Sequence, residues 1–272
     1  MNPTRAKRRS ISQAFQETKA AGQIGLVPFI PAGYPDLATT AALLPALERA
    51  GATVIEIGFP FSDPIADGPV IQEAFVDSLS RKIKVADVFA TVAKIRDQVS
   101  LPLVGMLSYS IVFRYGISQF VKDAKSAGFD GLILPDLPPP EAQRVCEQVR
   151  AGGLDTILLV APTTTPQRHA EIARLSSGFV YYLSVSGITG ERDQLPADLA
   201  ENVRQLKSVT ALPVCVGFGI SQARHVSQLA PVSDGAIVGT AFVRRITAHR
   251  NEGPQAIAQA VENYARELLL GP

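Results

Sequence analysis

Two carboxylates open the chemistry of this chain. Glu56 sits in the apolar run Val54–Gly58, and Asp67 follows eleven residues later on a loop crowded with Pro60, Asp63, Pro64, Gly68 and Pro69. Side chains alternate along a strand, so Val54, Glu56 and Gly58 share one face while Ile55 and Ile57 share the other. If the two isoleucines pack outward against helices, Glu56 points into the interior. A buried, unpaired carboxyl raises its pKa toward neutrality, the condition for a general acid and base near pH 7. The bland alternative is a core acid satisfied by backbone amides, with the aspartates as turn formers. That alternative suits Asp63, whereas Glu56 with Asp67 reads as an acid–base pair.

What else could react is limited. No strand-like run, nor the residue just after it, carries Lys or His, so a Schiff-base lysine is not expected. His169, His225 and His249 fall in helical or late segments, which argues against a metal site. The remaining acid–base groups are Asp136 and the tyrosines Tyr109, Tyr181 and Tyr182. Carboxylate-driven proton transfer is the expected chemistry.

The elements that must position these groups recur regularly. Eight apolar runs of strand length are expected near Leu26–Ile30, Thr53–Ile57, Leu103–Met106, Gly131–Leu134, Thr156–Val160, Phe179–Leu183, Pro213–Val216 and Gly235–Val238. Helical segments are expected near Leu37–Ala50, Val85–Val99, Ile117–Ala127, Glu141–Ala151, Pro166–Leu175, Leu199–Lys207, Gln222–Leu229 and Pro254–Leu269. Eight βα units joined by short turns predict parallel strands closed into an α/β (β/α)8 TIM barrel. A segment near Ser10–Ala21 is expected to add a helix under the barrel floor, and Pro69–Ser80 a short extra helix. No composition break divides the 272 residues, so residues 1–272 are expected to form one domain, with residues 1–9 as a basic tail. An open doubly wound sheet is the other arrangement.

Gly, Pro, Ser, Thr and Asp crowd the positions after strands, which in a barrel form the catalytic rim. Three glycine-rich rim segments come from the last three strands: Ser186–Gly190, Gly217–Ser221 and Asp234–Thr240. Glycine lets backbone N–H groups approach an anion, and a following helix aims further donors at it. Gly219, leading into a helix at Ser221–Leu229, and Gly239 with Thr240 are therefore candidates to hold a phosphate.

Composition excludes other classes. A net charge of +1 gives no reason to expect a polyanion partner. Cys146 and Cys215 lack metal-ligand spacing and fit a reducing compartment. No apolar run approaches a membrane span, and the basic N-terminus lacks a signal core, so a soluble cytoplasmic protein is expected.

The motif EIGFPFSDPIADGPVIQ (Glu56–Gln72), with Val27–Pro35, Gly131–Pro138, Ser184–Gly190 and Gly217–Ser221, resembles the tryptophan synthase alpha subunit family over nearly the full length. The resemblance implies a lyase of tryptophan biosynthesis that cleaves indole-3-glycerol phosphate to indole and glyceraldehyde 3-phosphate. It implies no cofactor on this chain, a pyridoxal phosphate-bearing beta subunit as partner, and an alpha2beta2 complex. By resemblance Glu56 transfers protons and Asp67 holds the indole N–H. By the same resemblance Tyr181 lies against the substrate, Phe218 is a further substrate-binding residue, and Gly190, Gly219, Gly239 and Thr240 match the phosphate-binding positions. Leu26, Leu107 and Ile133 are candidates for the indole slot. Ser186–Leu195 would be a lid latched by Thr189 to Asp67. Ile188 departs from the usual Val, and Glu191–Asp198 follows no strict family pattern. The Phe59–Asp67 loop, with two aromatics that look exposed, and the Pro135–Pro140 loop would meet the beta subunit. Other readings are a different phosphate-binding barrel isomerase, or a non-catalytic partner subunit.

Overall fold

The computed structural model describes residues 8–64, 67–184, 196, 198–217 and 219–271. Its strands are β1 (Gly25–Pro31), β2 (Ile55–Gly58), β3 (Leu103–Met106), β4 (Gly131–Ile133), β5 (Asp155–Ile157), β6 (Leu159–Val160), β7 (Val180–Leu183), β8 (Val214–Gly217) and β9 (Gly235–Val238). All pair in parallel, in the order β5-β4-β3-β2-β1-β9-β8-β7-β6. The two ends of that order, β5 and β6, are consecutive pieces of one segment. They are separated only by Leu158, so the sheet closes on itself. The expected single strand Thr156–Val160 is thus one barrel position served by two short pieces, one pairing with β4 and the other with β7. Eight positions around a closed parallel sheet make a (β/α)8 barrel.

The helices are α1 (Ile11–Ala20), α2 (Leu37–Ala50), α3 (Pro69–Ser80), α4 (Val85–Ile95), α5 (Tyr109–Tyr115), α6 (Ile117–Ala127), α7 (Pro139–Ala151), α8 (Pro166–Leu175), α9 (Leu199–Lys207), α10 (Ala223–Leu229), α11 (Thr240–Ala248) and α12 (Pro254–Leu270). Two of them, α5 and α11, were not expected. The sequence Tyr109–Tyr115 carries aromatic and β-branched residues with weak helical preference. Its first turn is instead tied down from outside: Ser108 Oγ accepts from Ser110 N at 3.2 Å, and Asp136 Oδ1 accepts from Tyr109 N at 2.6 Å. Helix α11 begins one residue after β9, where only a turn was expected.

Strand alternation divides the core into two layers. Inside the barrel lie Val27, Val54, Val104, Ile133, Ile157, Tyr181, Cys215 and Ile237. Between sheet and helices lie Leu26, Ile30, Ile55, Ile57, Tyr182 and the apolar faces of the helices. The interior floor is filled by Ile11 and Phe15 of α1, with Phe15 set edge-on to Phe179 at 5.7 Å between ring centroids. A capping box fixes the start of α1: Gln13 N donates to Ser10 Oγ, and Ser10 N donates to the Gln13 side chain. This plug lies opposite the C-terminal ends of the strands, where the interior opens into a cavity.

Candidate active site

The cavity at the C-terminal mouth of the barrel has a volume of about 480 Å³. Its wall is mainly apolar, with Phe29, Phe59, Phe61, Met106, Leu107 and Ile237 among the lining residues. Glu56 stands at its base. In register it lies beside Phe29 of β1 and Val104 of β3, on the interior face, while Ile55 and Ile57 point outward. Glu56 therefore faces the interior, as strand alternation implies. It is 1% exposed, and neither carboxyl oxygen has a hydrogen-bond partner among the described residues. Burial pushes its pKa well above the ordinary carboxylate value. A core acid satisfied by backbone amides would look different, because its oxygens would be occupied.

Asp67 reaches the same cavity from the loop after β2. It is half-buried, and desolvation raises its pKa to about 6. The loop backbone is held by Gln72 of α3, whose amide donates to the carbonyls of Asp67 at 2.8 Å and Pro64 at 3.2 Å. Asp67 N also donates to Pro64 O at 3.0 Å. Gln72 lay within the sequence motif but carried no assigned task. Its signal is position: on the first turn of the helix that follows the loop, an amide can reach back to the turn's carbonyls.

Tyr181 comes inward from β7 and lines the cavity. Its pKa is raised first by burial, then by Glu56 and Asp67, so the three acidic groups lie within one another's field. A Cβ placed on Gly217 of the neighbouring strand would stand 2.4 Å from the Tyr181 hydroxyl, so glycine there makes room for the phenol. Tyr182 faces the outer layer and is not part of the cavity.

On the β8–β9 side the lining includes Gly219, Ile220, Gly239 and Thr240. Gly219 has φ +79°, a left-handed conformation that suits glycine. It does not lead directly into a helix: α10 starts only at Ala223, after Gln222, and is seven residues long. Gly239 is the residue before α11, and no side-chain oxygen caps that helix among the described residues. The first-turn N–H groups of α11 therefore open beside the cavity at Thr240.

Other expected residues fall elsewhere. Leu107 lines the cavity, but Leu26 points to the outer layer because Val27 and Phe29 take the interior face of β1. Ile133 faces the interior beside the lining residue Met106, its register partner on β3, and is itself fully buried in the inner layer rather than on the cavity wall. Asp136 reaches the rim with both oxygens engaged, by Ser108 Oγ at 2.6 Å and Tyr109 N at 2.6 Å, so it anchors α5. The Tyr109 hydroxyl is directed to Glu141 and Arg144. Asp63 is exposed at the cavity mouth. Phe59 is not the exposed aromatic the sequence suggested. It is 2% exposed and packs against Phe89, Phe120 and Phe129, with centroids 5.7–6.2 Å away. Thr189, Gly190, Phe218 and the segment Ser186–Leu195 lie outside the described residues.

A closed parallel barrel with a buried carboxyl and a second acid at its C-terminal mouth has the layout of (β/α)8 barrel enzymes, whose active sites lie on that face. Known proteins narrow the class. A family model described as "Tryptophan synthase alpha chain" matches residues 15–269. The tryptophan synthase alpha chain of Rhodopirellula baltica is 43% identical over 260 residues, covering 94% of each chain. That of Synechocystis is 42% identical over 261 residues, covering 95% of this chain and 97% of the relative. Among solved structures, Mycobacterium tuberculosis tryptophan synthase superposes with a TM-score of 0.83 at 37% identity, covering 96% of this chain and 99% of that one. A mutant tryptophan synthase alpha-subunit from Pyrococcus furiosus gives 0.82 at 35% identity, covering 91% and 97%. The chain belongs to the tryptophan synthase alpha chain family.

Proposed function

We propose that this chain, folded as one barrel domain, is the carbon–carbon lyase that splits indole-3-glycerol phosphate into indole and glyceraldehyde 3-phosphate. The observation that carries the reading is Glu56: a buried carboxyl, neither of whose oxygens has a hydrogen-bond partner among the described residues, at the base of an apolar cavity. A carboxyl whose pKa is raised holds its proton near neutrality and can give it to indole C3. The carboxylate left behind can take the proton of the C3′ hydroxyl. The C3–C3′ bond then breaks, its electron pair returns to the protonated ring, and the former hydroxyl oxygen becomes the aldehyde carbonyl. One proton is given and one recovered, so Glu56 ends as it began.

Protonation at C3 puts positive charge on the ring nitrogen. Asp67, ionised above about pH 6, accepts the ring N–H and stabilises that charge. The substrate's own ring is the electron sink, so this chemistry calls on no cofactor of the chain. Leu107 and the aromatic wall hold the indole, with Tyr181 against the substrate. Gly219, Gly239 and Thr240, with Gly190, hold the phosphate, Phe218 adds a substrate contact, and Thr189 latches the lid to Asp67.

The family assignment supports a beta subunit as partner, carrying the pyridoxal phosphate and taking up the indole in an alpha2beta2 complex in the cytoplasm. No helix among the described residues is long and apolar enough to cross a membrane. The reading is tested by incubating the purified chain with indole-3-glycerol phosphate, alone and with a beta subunit. Release of indole with equimolar glyceraldehyde 3-phosphate is expected in both cases, faster with the partner. No indole in either case contradicts it.

A further inference from the structure

We propose that Tyr264, on the C-terminal helix α12, is a positioning residue of the phosphate cradle that fixes the separation of its two walls. The inference rests on the phosphate reading given above. One wall is the turn after β8, which reaches the cavity through Gly219 and Ile220; the other is the start of α11 at Gly239 and Thr240. These walls are 20 residues apart in the chain, and an anion between them needs donors from both at hydrogen-bond distance.

Tyr264 touches both walls while lining neither. Its hydroxyl donates to the Ser221 carbonyl at 2.8 Å, directly after Ile220. Its ring meets Phe242 of α11 edge-on, with centroids 5.0 Å apart, and the Arg245 guanidinium of α11 lies 4.8 Å above it. The other backbone polar group of Ser221 is also held: its N–H donates to Nδ1 of the buried His225 at 3.3 Å. That contact requires an unprotonated Nδ1, an assignment made from the donor it faces. The Ser221 peptide groups are thus spent on scaffold contacts, and the turn is gripped from α10 and α12 together. Tyr264 itself is 6% exposed, and its helix packs against α2, α10 and α11. The grip lies outside the cavity.

Removing the hydroxyl in Tyr264→Phe leaves the ring packing and frees one side of the turn. The expected result is selective. Binding of sn-glycerol 3-phosphate to the full chain, followed by phosphorus NMR, weakens about three- to tenfold. Binding of indole, followed by proton NMR, stays within about twofold of wild type, because the indole wall belongs to other strands. In His225→Asn the side-chain oxygen can replace Nδ1 as acceptor, so glycerol phosphate binding is retained. His225→Leu weakens it as Tyr264→Phe does. Unchanged glycerol phosphate binding in Tyr264→Phe, or equal weakening of both ligands, overturns the positioning role while leaving the cradle in place. A wild-type chain that binds indole but no glycerol phosphate overturns the cradle and the inference together.

Discussion

Glu56 is costly to keep, and the cost has a sign. Its folded-state pKa lies above its unfolded value, so between the two the native state binds more protons than the unfolded chain. Stability from this group is fully present below the unfolded pKa, near 4.3, and is lost as pH rises through the folded pKa. Glu56→Gln removes that dependence. The variant is expected to resist urea better than wild type at pH 8, with the difference shrinking toward pH 4. A gap that does not change with pH would mean the carboxyl is not desolvated in solution. Asp67 gives a separate signature. With a pKa near 6 it must be ionised to face the ring cation, so activity falls with unit slope below about pH 6. The substrate phosphate also titrates near 6. Asp67→Asn separates the two: the variant should be at least about tenfold slower, and its acid limb should keep only the phosphate contribution. An acid limb identical to wild type would remove Asp67 from the mechanism.

At the scale of elements, the turn after β8 carries the sharpest prediction. Gly219 has φ +79° and lines the cavity, so Gly219→Val both strains the backbone and fills anion space. KM for indole-3-glycerol phosphate should rise at least about tenfold, while indole affinity changes much less. Equal loss of both would indicate that the whole mouth had rearranged. The same scale shows what could be read from the chain alone. Glu56 was legible because alternation along a strand leaves only two faces, and the two flanking isoleucines claim one of them. The barrel was legible from eight repeats of one βα pattern. Phe59 was not, since alternation stops where β2 ends, and what buries its ring is Phe89, Phe120 and Phe129 from α4, α6 and the approach to β4. Helix α5 was hidden for a related reason: its start is fixed by Asp136, 27 residues away, and local preference does not carry that information. The interruption at Leu158 likewise depends on two different neighbouring strands.

The whole molecule joins these parts through its rim. Gln72 holds the Asp67 turn from α3, and α3 packs against α11, whose first turn opens the β9 side of the cavity. A partner pressing on the rim can therefore move a proposed catalytic group without touching substrate. The partner surface cannot use Phe59, which is buried, but Pro60 and Phe61 are partly exposed at the mouth. Pro60→Ala should relax the loop, lowering the activation by beta subunit at least about twofold while the basal rate changes less. Equal activation of wild type and variant would show that the loop does not transmit the signal.

The central claim is that the buried carboxyl of Glu56 moves the protons. Its most direct test is single-turnover cleavage of indole-3-glycerol phosphate by Glu56→Gln with beta subunit present, under conditions where binding is saturated. The amide keeps the volume of the side chain and cannot exchange a proton. The account predicts a rate lower by at least about a hundredfold with substrate still bound. A variant that retains more than about a tenth of the wild-type rate contradicts it.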